Sequence, residues 1–508
     1  MRNGIDGPKK ALGIVKNIND KYIRFEALYE IVSELANAGK FEDALEVSGH
    51  IGDKYLRSSA LHKVVVGLAE AGKPYREILD ETLEIARSIG DRSQRSSALC
   101  EIVVGLAEAG KPYREILDEA IEAIKSESNE LERFETLREL VVGLAEAGEF
   151  EDALEVSGHI GDKYLRFEAL RKIIVELAGA GKPYREILDE ALEISQNMGN
   201  KLRRFETLQE IVVGLAEAGE PYREILDEAL RVAGYINDDL QRFETLRELA
   251  VGLTGVGEFD EALEVSRGIK DDSQRAWALR KIVVGLAGVG KPYKEVFEEE
   301  LEAIRSISNK SRRLWAMREL ALGLVEAGEF EEALGVAKCI DDTYMRSWPL
   351  RDIAVGLARA GKPYKEILEE SLADTRCITD RFRRAVCLRK TALRFAEAGE
   401  PYKEILEESL EVAESIDDRS RRLWALRKIA FKFAKARKFE EALEVAGRID
   451  DENLHSEVMY EIVSELAKAR KFEEALEVAG RINNEYRRSE ALRDIASGLV
   501  KVSLREQS

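Results

Sequence analysis

Cysteine is scarce: four in 508 residues, Cys100, Cys339, Cys377 and Cys387, with no CxxC pair and no closely spaced set. That excludes a disulfide framework and a thiolate metal cluster, and the four read as small buried or half-buried side chains. No apolar run reaches 18 residues, and the opening "MRNGIDGPKKALGIV" lacks a long apolar core followed by a cleavage site. A soluble, cytoplasmic chain is therefore expected. Nine prolines form no linker and composition nowhere shifts, so the several domains that the length suggests are not expected. Positive charge is in deficit: 78 Lys and Arg against 98 Asp and Glu, net −20. A whole-surface nucleic-acid binder is thereby disfavoured, since phosphate needs clustered cations. Charged residues still make up 35%, rich in Glu, Lys and Arg, a balance suited to high temperature.

What the chain has is repetition. An arginine recurs at 33- or 38-residue spacing from Arg24, Arg57 and Arg95 through Arg275, Arg313, Arg346, Arg384 and Arg422 to Arg488, with His455 in the one missing slot. This gives six short and seven long units. Residues 42–57 and 151–166 are identical, the mark of a duplicated 109-residue block. Asp or Asn stands four residues before every slot, a helix N-cap. Apolar residues then follow at helical spacing (Leu279, Ile282, Val283, Leu286), and glycine ends the helix in eleven of thirteen units. A second helix begins "KFEDALEV" in short units and "KPYREILDEALEI" in long ones. There Pro74, Pro112, Pro183, Pro221, Pro292, Pro363 and Pro401 are expected in the first turn, and five extra residues lengthen the helix by about a turn and a half. Pro349 falls inside a first helix and is expected to kink it or delay its start.

The short unit "LRELALGLVEAGEFEEALGVA" resembles a tetratricopeptide repeat: Phe330 two residues after Gly328, then Ala333-Leu334, a series repeated at Gly39, Phe41, Ala44 and at Gly148, Phe150, Ala153. The family's large aromatic early in the first helix is Leu or Met here, and its closing proline is absent. The resemblance implies an all-α, right-handed α-α superhelix of thirteen helix pairs, residues 24–487. An N-terminal half repeat (1–23) and a C-terminal half repeat and tail (488–508) flank it, all one continuous solenoid. The final helix carries Ile495, Leu499 and Val502 on a face that a second helix covers in every earlier unit. Self-association through the terminal helices is therefore expected.

Several motifs imitate chemistry. "GLAEAGKP" at Gly67–Pro74 nearly matches a phosphate-binding loop, but proline replaces the magnesium-binding hydroxyl and the glycines lie in and at the end of a helix. Asp271-Asp272, Asp341-Asp342 and Asp417-Asp418 each precede a helix, where capping accounts for them. His50, His62, His159 and His455 belong to no catalytic set that spacing assembles. No enzyme activity, metal or cofactor is expected.

All four tryptophans, Trp277, Trp315, Trp348 and Trp424, stand two residues after the slot. With the slot as position zero, the first helix turns positions four, seven, eight and eleven to the core, and two and nine away, with five on their flank. Position two is Glu in seven units and Trp or Val386 in the eighth to twelfth. Position five is Arg in nine, and position nine is apolar in eleven. Glu135/Arg138, Glu168/Arg171 and Glu244/Arg247 can pair along one helix. In the tryptophan units that partner is missing. The resemblance places this surface in a concave groove. Trp277, Arg280, Val284, Trp315, Arg318, Leu322, Trp348, Arg351, Val355, Arg389, Leu393, Trp424, Arg427 and Phe431 would then supply aromatic anchors, free arginines and an apolar floor. Alternatively, each Trp packs against the neighbouring first helix and touches no ligand.

Three functions follow in order: a scaffold holding a protein or peptide segment, acidic or phosphorylated; a single-stranded RNA-binding helical-repeat protein; and, with no assembled acid, base or metal set to support it, an αα enzyme.

Overall fold

A computed structural model of the chain describes residues 7–505. Among them are 28 helices, numbered α1–α28 in chain order, and no strand. No helix there is long and apolar enough to cross a membrane.

One unit explains the rest. Helix α16 (Asp272–Gly288) opens where the Asp271 carboxylate accepts the Gln274 N–H at 2.8 Å. The same cap recurs at Asp20, Asp53, Asp91, Asn129, Asn200, Asn309, Asp342 and Asp380. It satisfies an N–H that the helix itself cannot. The slot arginine closes the turn from the other side: Arg275 Nη1 donates to the Ile269 carbonyl at 3.3 Å, six residues back. Arg24, Arg95, Arg242, Arg313, Arg346 and Arg422 do the same to Ile18, Ile89, Ile236, Ile307, Ile340 and Ile416. The recurrent arginine is thus a clasp on carbonyls left over beyond the preceding helix. At the far end, eleven glycines such as Gly290 take positive φ. Arg437 (φ 62°) and Arg470 (φ 63°) take the same conformation in the two units without glycine. The turn, not the residue, is the constant.

The second helices start later than expected. In long units the helix begins after the Pro-Tyr pair, as in α17 (Lys294–Ser306), whose N-cap is Tyr293. The prolines accordingly precede the helix instead of occupying its first turn. Second helices of long units run mostly 12 residues against 8 or 9 in short ones. The gain is about one turn, because two inserted residues go into the connection. Helix α20 (Thr343–Arg359) starts on schedule at its Asp342 cap and carries Pro349 within it, so its start is not delayed.

Adjacent first helices approach closely at position ten. A Cβ at Gly323 or Gly143 would collide with the position-nine valine of the preceding first helix, Val284 or Val104. At Gly285 and Gly356, which follow short units, the ring of Phe259 or Phe330 fills that place.

The chain divides into two compact bodies, Met1–Glu176 with Leu426–Ser508, and Leu177–Ala425. In the first, the two ends of the sequence join. Helix α28 (Glu485–Arg505) lies between α26 (Glu452–Lys468) and α2 (Lys21–Asn37), and α1 (Gly7–Val15) covers its apolar face. Ile495 and Val500 are fully buried there and Leu499 nearly so. Lys10 pairs with Glu473 at 2.5 Å, Arg493 with Glu26 at 3.0 Å and Lys501 with Glu34 at 3.3 Å. The two half repeats are therefore one helix pair, and the face expected to seek another molecule is occupied by α1.

Candidate functional site

Position five does meet position two, but across units. Arg138 lies 3.9 Å from Glu168 and Arg427 2.8 Å from Glu457, each carboxylate belonging to the following first helix. Arg493 and Glu26 make the same contact where the chain ends meet. Arg247 does not pair along its own helix with Glu244; it reaches Glu248 at 3.1 Å and the Gln274 amide oxygen at 2.8 Å. Neighbouring first helices stand close enough that a long side chain spans the gap more readily than it folds back over its own turn.

Tryptophan at position two replaces a carboxylate partner by a ring. In the second body the Arg247 guanidinium sits 4.7 Å from the Trp277 ring centre and Arg318 4.8 Å from Trp348. Arg280 lies 5.2 Å from Trp277 and 5.8 Å from Trp315. Cations and rings alternate along α14 (Asp239–Gly255), α16, α18 (Lys310–Glu326) and α20. The rings thus pack between units while part of each remains open: Trp277 and Trp348 are half-buried, whereas Trp315 is 40% and Trp424 42% exposed. Trp424 also packs on Phe382, ring centres 5.2 Å apart.

The arginines expected to be free are mostly engaged. Arg280 lies 3.6 Å from Glu319, Arg318 pairs with Glu319 at 2.5 Å and Arg351 with Asp352 at 2.6 Å. Arg427, in the first body, holds Glu457 and Glu461. The missed signal was an acid at position six of the same or the following first helix: Glu319 for Arg280 and Arg318, Asp352 for Arg351 and Glu461 for Arg427. Of these five arginines, only Arg389 has no carboxylate partner among the described residues. The apolar row is not an open floor either: Val355 is buried, and Val284, Leu322, Leu393 and Phe431 are half-buried. Val284 spends its surface on the neighbouring Gly323.

A cavity of about 610 Å³ opens between α14, α16 and α18. Trp277 and Trp315 line it with Arg247, Arg280 and Arg312, and the exposed Leu240 stands at its edge. At its base is Glu300 of α17, 1% exposed, with Oε2 lacking any hydrogen-bond partner. The corresponding positions of the other long units hold Thr82, Ala120, Ala191, Ala229, Ser371 and Ser409, all fully buried and all small. One unit alone puts a glutamate into this slot, beside this cavity. Composition and motif searches pass over it; aligning the second helices exposes it.

Burial holds the Glu300 carboxyl well above the usual carboxylate range, and Arg280 opposes this only in part. Above the ordinary value of 4.5 the folded chain thus keeps a proton that the unfolded chain releases, and stability falls as pH rises. Glu300→Gln is expected to match the parent at pH 4 and to exceed it increasingly at pH 6 and pH 8. Urea midpoints at the three values test this; a variant less stable than the parent at pH 8 contradicts it.

No family model matches the chain, and no curated protein sequence matches it either. Among solved structures it is similar to Ton1535 from Thermococcus onnurineus NA1, at 20% identity over 86% of this chain and 98% of that one, with a TM-score of 0.25. Kap121p bound to Nup53p aligns at 15% identity over 96% of this chain, TM-score 0.38, and the chain spans only 54% of its length. Importin beta aligns at 13% identity over 99% and 92% of the two chains, TM-score 0.34. At such scores the comparisons support no transfer of function; the helix-pair repeat is established by the chain itself.

Proposed function

We propose that the chain is a non-enzymatic scaffold of the tetratricopeptide-like kind, binding a segment of a partner protein across the first helices of the second body. The anchoring side chain of that segment enters the cavity between α16 and α18. The observation that carries this is the cavity itself: a half-exposed indole and an exposed leucine at an opening whose base holds a glutamate found in no other unit. Large apolar side chains left in water beside a concave site are the ordinary mark of a docking surface, and Trp and Arg supply most binding hot spots. The RNA-binding alternative gains nothing from Trp277 and Trp348. Arg247, Arg280 and Lys281 already lie over the first ring, and Arg318, Arg351 and Lys390 over the second, where a base would have to stack.

The test compares Trp315→Ala with Trp277→Ala in pull-downs from native lysate, followed by affinity measurement on the segment identified. Trp315→Ala is expected to leave the melting temperature nearly unchanged and weaken the segment by about 2 kcal/mol or more, as a hot-spot truncation does. Trp277→Ala, wedged between two arginines, is expected to lower stability as well. Undiminished binding by folded Trp315→Ala refutes the proposal.

A further inference from the structure

Helix α22 (Arg381–Ala398) carries Arg381, Arg383, Arg384, Arg389, Lys390 and Arg394 against one acid, Glu397, in a chain of net charge −20. Arg138 finds its carboxylate at position two of the next first helix, Glu168, and Arg427 at positions two and six, Glu457 and Glu461. Helix α22 offers Arg351 neither: its position two is Val386 and its position six is Lys390. Arg351 therefore turns to Asp352 of its own helix, which Arg394 also approaches at 3.9 Å. Arg389 faces the same lack, for the following unit presents Trp424 and Lys428 at those positions. It is 5% exposed and has no carboxylate partner among the described residues.

Arg351, Arg389 and Lys390 thus stand within electrostatic reach of one another, and the first and last of them lie over the Trp348 ring. Lys390 Nζ stands 3.6 Å from the ring centre and Arg351 lies 5.7 Å from it, while the indole Nε1 donates to Cys387 Sγ at 3.3 Å. Burial and the Arg351 charge draw the Arg389 guanidinium down to about 10, and burial with Arg351 and Arg389 draws the Lys390 ammonium down to about 8. A buried cation without a counter-charge is costly, and no carboxylate among the described residues offsets this one. With Asp352 counted, the cluster keeps an excess of two positive charges. A carboxylate would cancel one of them. A phosphate monoester carries about −1.5 to −2 and three acceptor oxygens, which suits two planar guanidinium forks and an ammonium point charge. Lys390 and Trp348 are only half-buried, so the cluster is open to solvent on their side.

We propose that Arg351, Arg389 and Lys390, between α20 and α22, form a binding site for a tetrahedral phosphoryl dianion. A phosphorylated side chain of the docked segment supplies it, a source that rests on the scaffold reading above; free phosphate presents the same chemistry.

Inorganic phosphate tests the site without any segment. The full chain is melted at pH 7 and constant ionic strength, with phosphate replacing chloride. A saturable rise in Tm is expected for the parent and for Trp315→Ala, so that failure of the docking reading leaves this result intact. Arg389→Gln is expected to abolish the rise and to melt above the parent when phosphate is absent, since it removes an uncompensated buried charge. Lys390→Gln, which trims a half-exposed group, is expected to raise the half-saturating phosphate concentration about tenfold, the loss of roughly one charge-assisted contact. A phosphoserine peptide that saturates the response at lower concentration than phosphate assigns the site to a modified side chain, and equal saturation assigns it to the free ion. A Tm rise that chloride reproduces, or one that survives in both variants, overturns the proposal.

Discussion

Replacing Ile495 by Asp is expected to unfold the helix pair in which the two ends of the chain meet. Ile495 is fully buried between α1, α2 and α26, and truncating such a side chain to Ala alone costs roughly 2–5 kcal/mol. A carboxylate adds the burial of an unpaired charge, so a loss beyond that range is expected. Leu499→Glu, whose site is covered by α1, should act in the same direction. The sequence by itself suggested that this face binds another molecule, in which case Leu499→Glu would separate an assembly and leave the fold alone. Denaturant unfolding and sedimentation decide between the two. Fully stable variants of altered mass would show that α1 does not cover the face in solution.

Acid is expected to attack the first body at His62. The imidazole is buried, its Nδ1 has no partner, and burial, helped by Lys63, draws it from 6.5 down to about 3. Between those values the unfolded chain binds a proton that the folded chain refuses, so stability is lost as pH falls below 6.5. The loss is about 1.4 kcal/mol for each pH unit, or roughly 3 kcal/mol by pH 4. His62→Gln cannot take up that proton. The parent should therefore weaken relative to the variant by about that amount between pH 7 and pH 4. Parallel pH curves for the two proteins would place the imidazole in contact with water.

The caps and the glycine turns were legible in the sequence, and the arginine slot as a position though not as a clasp. Asp271 caps, Arg275 stands at its slot and Gly290 turns, because each acts within six residues along the chain. What crossed between units was legible only in part. Glu135 and Arg138 satisfy the spacing of a helix pair, yet the arginine reaches Glu168, since helix spacing fixes which residues share a face and not which neighbouring helix approaches it. The prolines misled by two residues because Pro tolerates the approach to a helix as well as its first turn. Glu300 was missed because nothing about a single glutamate in a glutamate-rich helix is unusual until the six small residues in its register are set beside it. Half the site was thus visible as tryptophan, and the other half only as a departure from the repeat.

The joining of α1 to α28 also orders events in time. Helix α1 is made long before α28, the helix that covers its buried residues Ala11, Ile14 and Val15. Nine residues do not hold a helix in water unaided, so α1 waits through the synthesis of the units that lie between. The contact of α28 with the start of the repeat, Arg493 with Glu26, closes a loop of 467 residues, a slow and entropically costly encounter. Until then both apolar edges stand uncovered, and a nascent or freshly diluted chain is at its most vulnerable to a second copy of itself.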